Sequence, residues 1–142
     1  MAGKFEIDSP KNIKDALEFF NYFHDGFVKE IRVISKDEFE QDKSKMCTGV
    51  FDIEIKFSHS NYNKGRPPFD RSIKAKFYEV KNILFDFYHV TECEWGILKI
   101  DIERGSSDRL WFIFSRSVLK GGKWSQRSDK LFSFRYATIA EQ

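Results

Sequence analysis

Phe51-Asp52-Ile53-Glu54-Ile55-Lys56-Phe57-Ser58 alternates apolar and polar side chains at every step. Successive side chains of a β-strand point to opposite faces, so Phe51, Ile53, Ile55 and Phe57 share one face and Asp52, Glu54, Lys56 and Ser58 the other. That is the pattern of an antiparallel sheet with one face on a core and one in water. Downstream, His59 to Asp70 is a loop by composition, with Asn61, Asn63, Gly65, Pro67 and Pro68. Ile73, Ala75 and Phe77 begin the next strand. Ile83, Phe85, Phe87 and His89 form one side of another, with Leu84, Asp86, Tyr88 and Val90 opposite.

The clearest hairpin follows. Leu98, Ile100 and Ile102 alternate with Lys99, Asp101 and Glu103, and Gly105-Ser106-Ser107-Asp108 turns the chain into Leu110, Phe112 and Phe114. Trp111 and Ile113 on the reverse side mark this strand, expected to end near Ser115, as central or covered. Lys120-Gly121-Gly122-Lys123 is expected to lie in a second long loop, over about 117–130. The last strand alternates Phe132, Phe134 and Tyr136 with Ser133, Arg135 and Ala137.

Upstream of Phe51 the polar tract Ser35–Ser44 separates it from a strand in which Phe27, Ile31 and Val33 oppose Val28, Glu30, Arg32 and Ile34. Before that, Ser9-Pro10 is a helix entrance, since serine caps an orphan amide and proline at the first helical position loses no bond. Ile13, Ala16, Leu17, Phe20 and Phe23 recur at helical spacing, and Asp25-Gly26 supplies a left-handed cap. The helix is expected over about 10–23. One helix and about seven strands with hairpin-length connections cannot supply parallel crossovers. The expected fold is α+β, an N-terminal helix packed on a curved, mostly antiparallel sheet or two-sheet sandwich.

The chain of 142 residues fits a single domain, 1–142, with no internal repeat or linker. Its 16 Phe, 5 Tyr and 3 Trp, together with 32% charged residues, exclude a disordered chain. No apolar run reaches membrane-spanning length, and Met1 to Glu6 lacks the apolar region of a signal peptide, so a cytoplasmic protein without membrane contact is expected. Net charge is +2, short of the basic footprint of a dedicated nucleic-acid binder. Between Arg116 and Arg135, however, six cations face one anion, Asp129.

No assembled catalytic set emerges. His24-Asp25 has the form of a metal-binding pair, but the further histidines on neighbouring helices that such a site needs are lacking, and a histidine in a last helical turn is favoured by the helix dipole. His89 and Cys93 make two soft ligands where zinc wants three or four, and nothing in the sequence brings His59 to them. Cys47 and Cys93 have no Cys-x-x-Cys spacing, and reduced thiols are expected. Gly121-Gly122-Lys123 lacks the spacing of a phosphate loop. No catalytic residue, metal or cofactor is therefore assigned.

The loops carry the remaining signal. Trp124 lies between Lys123 and Arg127, and Tyr62, Arg66 and Phe69 repeat that composition in the other long loop. Trp124 has a plain explanation as an anchor folding back on the sheet, but Trp, Tyr and Arg are the residues that interfaces overuse. Partner binding is assigned to Trp124, Arg127, Lys123, Tyr62, Arg66 and Phe69.

The stretch Phe20-Asn21-Tyr22-Phe23-His24-Asp25-Gly26-Phe27-Val28-Lys29-Glu30-Ile31 resembles the opening of small uncharacterised bacterial domains, in which a helix runs through a Phe-His-Asp-small turn into the first strand. It is also similar to immunity proteins of bacterial polymorphic toxin systems, which share a Phe-Asp-small turn and a curved antiparallel sheet. The resemblance covers residues 13–34 and implies a protein that blocks a toxin with no catalytic residues of its own. The expectation is thus a non-enzymatic, immunity-like protein-interaction module. The alternatives are a small-ligand carrier with a Phe-lined cavity and a single-stranded nucleic-acid binder using the basic loops.

Overall fold

A computed structural model describes residues 4–24, 26–39, 45–46, 49–59, 71–84, 97–105 and 108–142. Strand β1 (Lys4–Ile7) leads into helix α1 (Pro10–Phe19), then β2 (Phe27–Ser35), the two-residue strands β3 (Glu38–Phe39) and β4 (Lys45–Met46), β5 (Phe51–His59) and β6 (Arg71–Val80). Next come β7 (Lys99–Arg104), β8 (Leu110–Lys120), β9 (Lys123–Phe134) and β10 (Tyr136–Glu141). One sheet has five strands in the order β1-β10-β6-β5-β2, a second has three in the order β7-β8-β9, and β3 pairs with β4. Every pairing is antiparallel. The α+β class holds, but the two larger sheets contain eight strands rather than about seven. No helix among the described residues is long and apolar enough to cross a membrane.

Alternation sets the register of the five-stranded sheet. Ile31 pairs with Ile55, Ile55 with Ala75, Ala75 with Ile139 and Ile139 with Phe5, a row of apolar residues across all five strands. The three-stranded sheet supplies Ile100, Ile102, Leu110, Phe112, Phe114, Phe132 and Phe134 to the same core. Phe77 joins the two sheets, its ring meeting Phe112, Phe132 and Phe134 edge-on at 5.2, 5.0 and 4.9 Å. Such T-shaped contacts add stabilisation beyond the burial of area alone.

Helix α1 begins as its sequence dictates: Ser9 Oγ accepts from the Asn12 amide at 3.3 Å, with Pro10 behind it. It ends at Phe19, earlier than the periodicity implies. Asn21, Tyr22 and Phe23 form a short 3-10 turn with φ of 49°, 54° and 57°. Left-handed backbone costs about 1–2 kcal/mol per residue. The turn swings Phe20 and Phe23 into the core, where their rings stack at 5.2 Å and Phe23 meets Phe57 at 4.5 Å. Burying two such rings is worth about 1.5–3 kcal/mol each, enough to offset much of that cost. The left-handed conformation thus falls on residues 21–23. Gly26 instead sits where space is tight, since a Cβ there would come within 3.2 Å of the Phe23 carbonyl oxygen and 3.3 Å of that of Ser58.

Other expectations are corrected as well. Ile83 and Leu84, read as the start of a strand, lie outside the strands and are exposed at 38% and 66%; the remainder of that reading, Phe85 to Val90, lies outside the described residues. Phe134 and Tyr136 are on different strands, because the chain bends at Arg135, whose amide donates to the Tyr78 carbonyl at 3.1 Å, and crosses between sheets. The expected long loop over 117–130 is a hairpin. Gly121 and Gly122, with φ of 59° and 77°, make the two-residue turn whose twist matches its strands. β8 runs on to Lys120, past Ser115, and β9 begins at Lys123.

Candidate functional site

Register places each residue of the β8–β9 arm. Leu119 pairs with Trp124, Ser117 with Gln126 and Ser115 with Ser128, while Lys120 pairs with Lys123, Val118 with Ser125 and Arg116 with Arg127. Directly paired residues share a face and neighbours along a strand do not. Leu119 and Trp124 therefore occupy one face of the arm tip, and Lys123 and Arg127 the other. Leu119 is 60% and Trp124 53% exposed. Side chains from Lys120 to Ser128 are all exposed, because this half of the hairpin extends past the shared core.

Behind the tip, on the Trp124 face, Gln126 Nε2 donates to Ser128 Oγ at 2.9 Å, and the Ser115 and Ser128 hydroxyls meet at 2.7 Å. Lys130 then lies 5.5 Å from the Trp111 ring centroid, a cation over an aromatic face. On the opposite face the Arg127 guanidinium pairs with Asp129 at 3.2 Å. The arm is thus an apolar pair at the tip, a polar ladder behind it and cations on both sides. Lys123, Trp124 and Arg127 are together on this arm but split between its faces. Tyr62, Arg66 and Phe69 lie outside the described residues. Leu119 was missed by composition; reading Gly121-Gly122 as a two-residue turn sets it opposite Trp124.

The histidine candidates separate. His24 Nδ1 is 2.8 Å from the Leu98 carbonyl oxygen; a carbonyl only accepts, so this nitrogen carries a proton and donates. His59 is buried at the end of β5, its ring 6.5 Å from that of Phe23. Asp25, Cys47, His89 and Cys93 lie outside the described residues. Among the described residues no group of three or more His, Cys, Asp or Glu is placed to hold a metal.

The face of β5 turned away from the apolar core holds a cluster that composition did not reveal. Asp52 and Glu54 are 3% and 7% exposed, which is costly for carboxylates unless they are paired. Lys36 reaches Asp52 at 3.0 Å, and the Glu79 amide donates to the other oxygen of Asp52 at 3.2 Å. Lys74 and Arg32 reach Glu54 at 2.8 and 3.5 Å. The hydrogen bond from Lys74 holds the Glu54 carboxyl below its ordinary range, and that with Asp52 raises Lys36. These pairs tie β2, β5 and β6 together.

An open depression of about 530 Å³ lies between Asp8, Glu79, Arg104, Asp108, Arg135 and Tyr136. One of about 290 Å³ lies between Lys99, Asp101, Gln126, Ser128 and Lys130. Both are walled mainly by charged and polar groups, while Phe77, Phe112, Phe132 and Phe134 contact one another. Compared with known proteins, the chain matches no family model, no curated protein and no solved structure.

Proposed function

We propose that this chain is a non-enzymatic, immunity-like protein-interaction module that grips an acidic partner protein through the β8–β9 arm. The observation that carries the proposal is the Leu119–Trp124 pair, exposed at 60% and 53% at the tip of a hairpin that also carries Lys120, Lys123 and Arg127. A tryptophan held on a paired hairpin offers a large contact area, and flanking cations steer an acidic surface towards it. Tyr62, Arg66 and Phe69 provide the same chemistry elsewhere in the chain and complete the proposed binding set. The contacts among the phenylalanines of the two sheets favour this mode over a Phe-lined ligand cavity.

The test is affinity capture from the source cells with the whole chain and with its Trp124→Ala/Arg127→Ala variant. A protein retained by the native chain and lost by an equally stable variant supports the assignment. Equal retention contradicts it. Because stacking tryptophan and cations also suit single strands, oligo(dT) binding is measured across salt concentrations; tight, steeply salt-dependent binding would favour the nucleic-acid alternative.

A further inference from the structure

We propose that the chain forms a two-fold dimer by pairing the β2 edges of two copies. β2 ends the five-stranded sheet, and among the described residues no strand pairs with its outer side. The phase of its hydrogen bonds follows from one contact: the Lys36 amide donates to the Val50 carbonyl at 3.0 Å, in register with the β2–β5 pairing. In an antiparallel pair the bonded positions alternate. Ile34, Arg32 and Glu30 therefore exchange bonds with β5, and Ile31 and Val33 turn their amides and carbonyls outward.

A second copy crossing antiparallel can place the two-fold axis on one of those outward residues or on the residue between them. Ile31 is the midpoint of Phe27–Ser35, so centring there gives the longest overlap of two β2 strands. It sets Ile31 opposite Ile31, Val33 opposite Lys29, and Glu30 opposite Arg32 of the second copy, the last pair occurring twice by symmetry. Centring one residue away would oppose Arg32 to itself. Edge strands commonly use charge to repel other strands; Glu30 and Arg32 instead attract their counterparts in a second copy in this register. Glu30 and Arg32 also fall at non-hydrogen-bonded positions, where side chains across a ladder are closest.

Burial points to the same edge. Val33 lies on the core face, opposite Ile53, yet is 49% exposed. A second strand would cover it. The bulge between Val28 and Glu30 limits the flat part of the edge, so the ladder is short and the dimer concentration-dependent.

Sedimentation equilibrium of the whole chain tests this, with Glu30→Arg and Arg32→Glu as variants. The native chain should move towards twice its 16.9 kDa mass as concentration rises. Each variant alone sets like charges opposite one another twice and should weaken the dimer about tenfold or more. Mixed in equal amounts, the two variants restore opposite charges at both positions and should recover the dimer. Loss of a fold contact within one chain would not be rescued by mixing; circular dichroism confirms that each variant is folded. A native chain that stays monomeric, a dimer indifferent to both variants, or variants that do not re-associate on mixing would each overturn the proposal.

Discussion

Trp124 stands directly across the ladder from Leu119, on the second rung from the Gly121-Gly122 turn. Their shared face is carried beyond the core on two strands whose other ends, at Phe112 and Phe132, are stacked at 5.0 Å and buried. The arm is therefore packed at its base and exposed at its tip, an arrangement suited to presenting side chains to another molecule. Replacing both tip residues with alanine is expected to lower stability by less than about 1 kcal/mol, the scale of one exposed cross-strand pair. Chemical denaturation measures this, and a larger loss would make the pair a packing element.

Gly105 and Trp111 are close enough to exclude any side chain between them. A Cβ at Gly105 would lie 2.7 Å from Trp111 Nε1, so Gly105→Ala must displace the indole and its contact with Lys130. The expected cost is about 1–3 kcal/mol, the usual range for overpacking. Tryptophan fluorescence should report the displaced ring alongside the lower denaturation midpoint.

The Phe77 ring touches Phe112, Phe132 and Phe134 of the other sheet. Phe77→Ala should cost about 3–5 kcal/mol, a large fraction of the stability of a domain this size. Thermal unfolding of the variant measures it. Phe77→Leu, which keeps most of the volume, should cost clearly less.

Acid should weaken the sheet through Glu54. Its folded carboxyl, hydrogen-bonded by Lys74, binds a proton less readily than the unfolded group at 4.5. The unfolded state then takes up more protons, so stability rises with pH. The contribution is complete above about pH 5 and is lost as pH falls through 4.5 and on through the lower folded value. Glu54→Gln should be less stable than the native chain at pH 7, and the difference should shrink as the pH falls below 4. Urea denaturation at several pH values measures the gap; one that is constant with pH would contradict the assignment.

The fold was legible wherever one strand face packs on the shared apolar core and the other does not. Phe51 to Phe57 and the Leu98 to Phe114 hairpin declare themselves because the core takes every second side chain. β1 has only four residues, too few to show a period. The arm failed for the opposite reason: from Ser117 to Ser128 both of its faces reach solvent, so no burial imposes a pattern and only the Gly-Gly turn marks it. The end of α1 was misplaced because Phe20 and Phe23 have helical spacing but reach the core through a left-handed turn. At the candidate site the residue types were legible, Trp124 between cations, while their division between two faces depends on register. The buried Asp52 and Glu54 look like ordinary solvent-facing acids until Lys36, Arg32 and Lys74 are brought beside them.

The claim that the arm is the docking surface is tested most directly by photo-crosslinking in the source cells, with a benzoylphenylalanine placed in turn at positions 119, 124, 14 and 138. The account predicts one acidic protein joined to the chain from positions 119 and 124 and not from Lys14 on α1 or Thr138 on β10. Adducts of equal yield from all four positions, or none from 119 and 124, would contradict it.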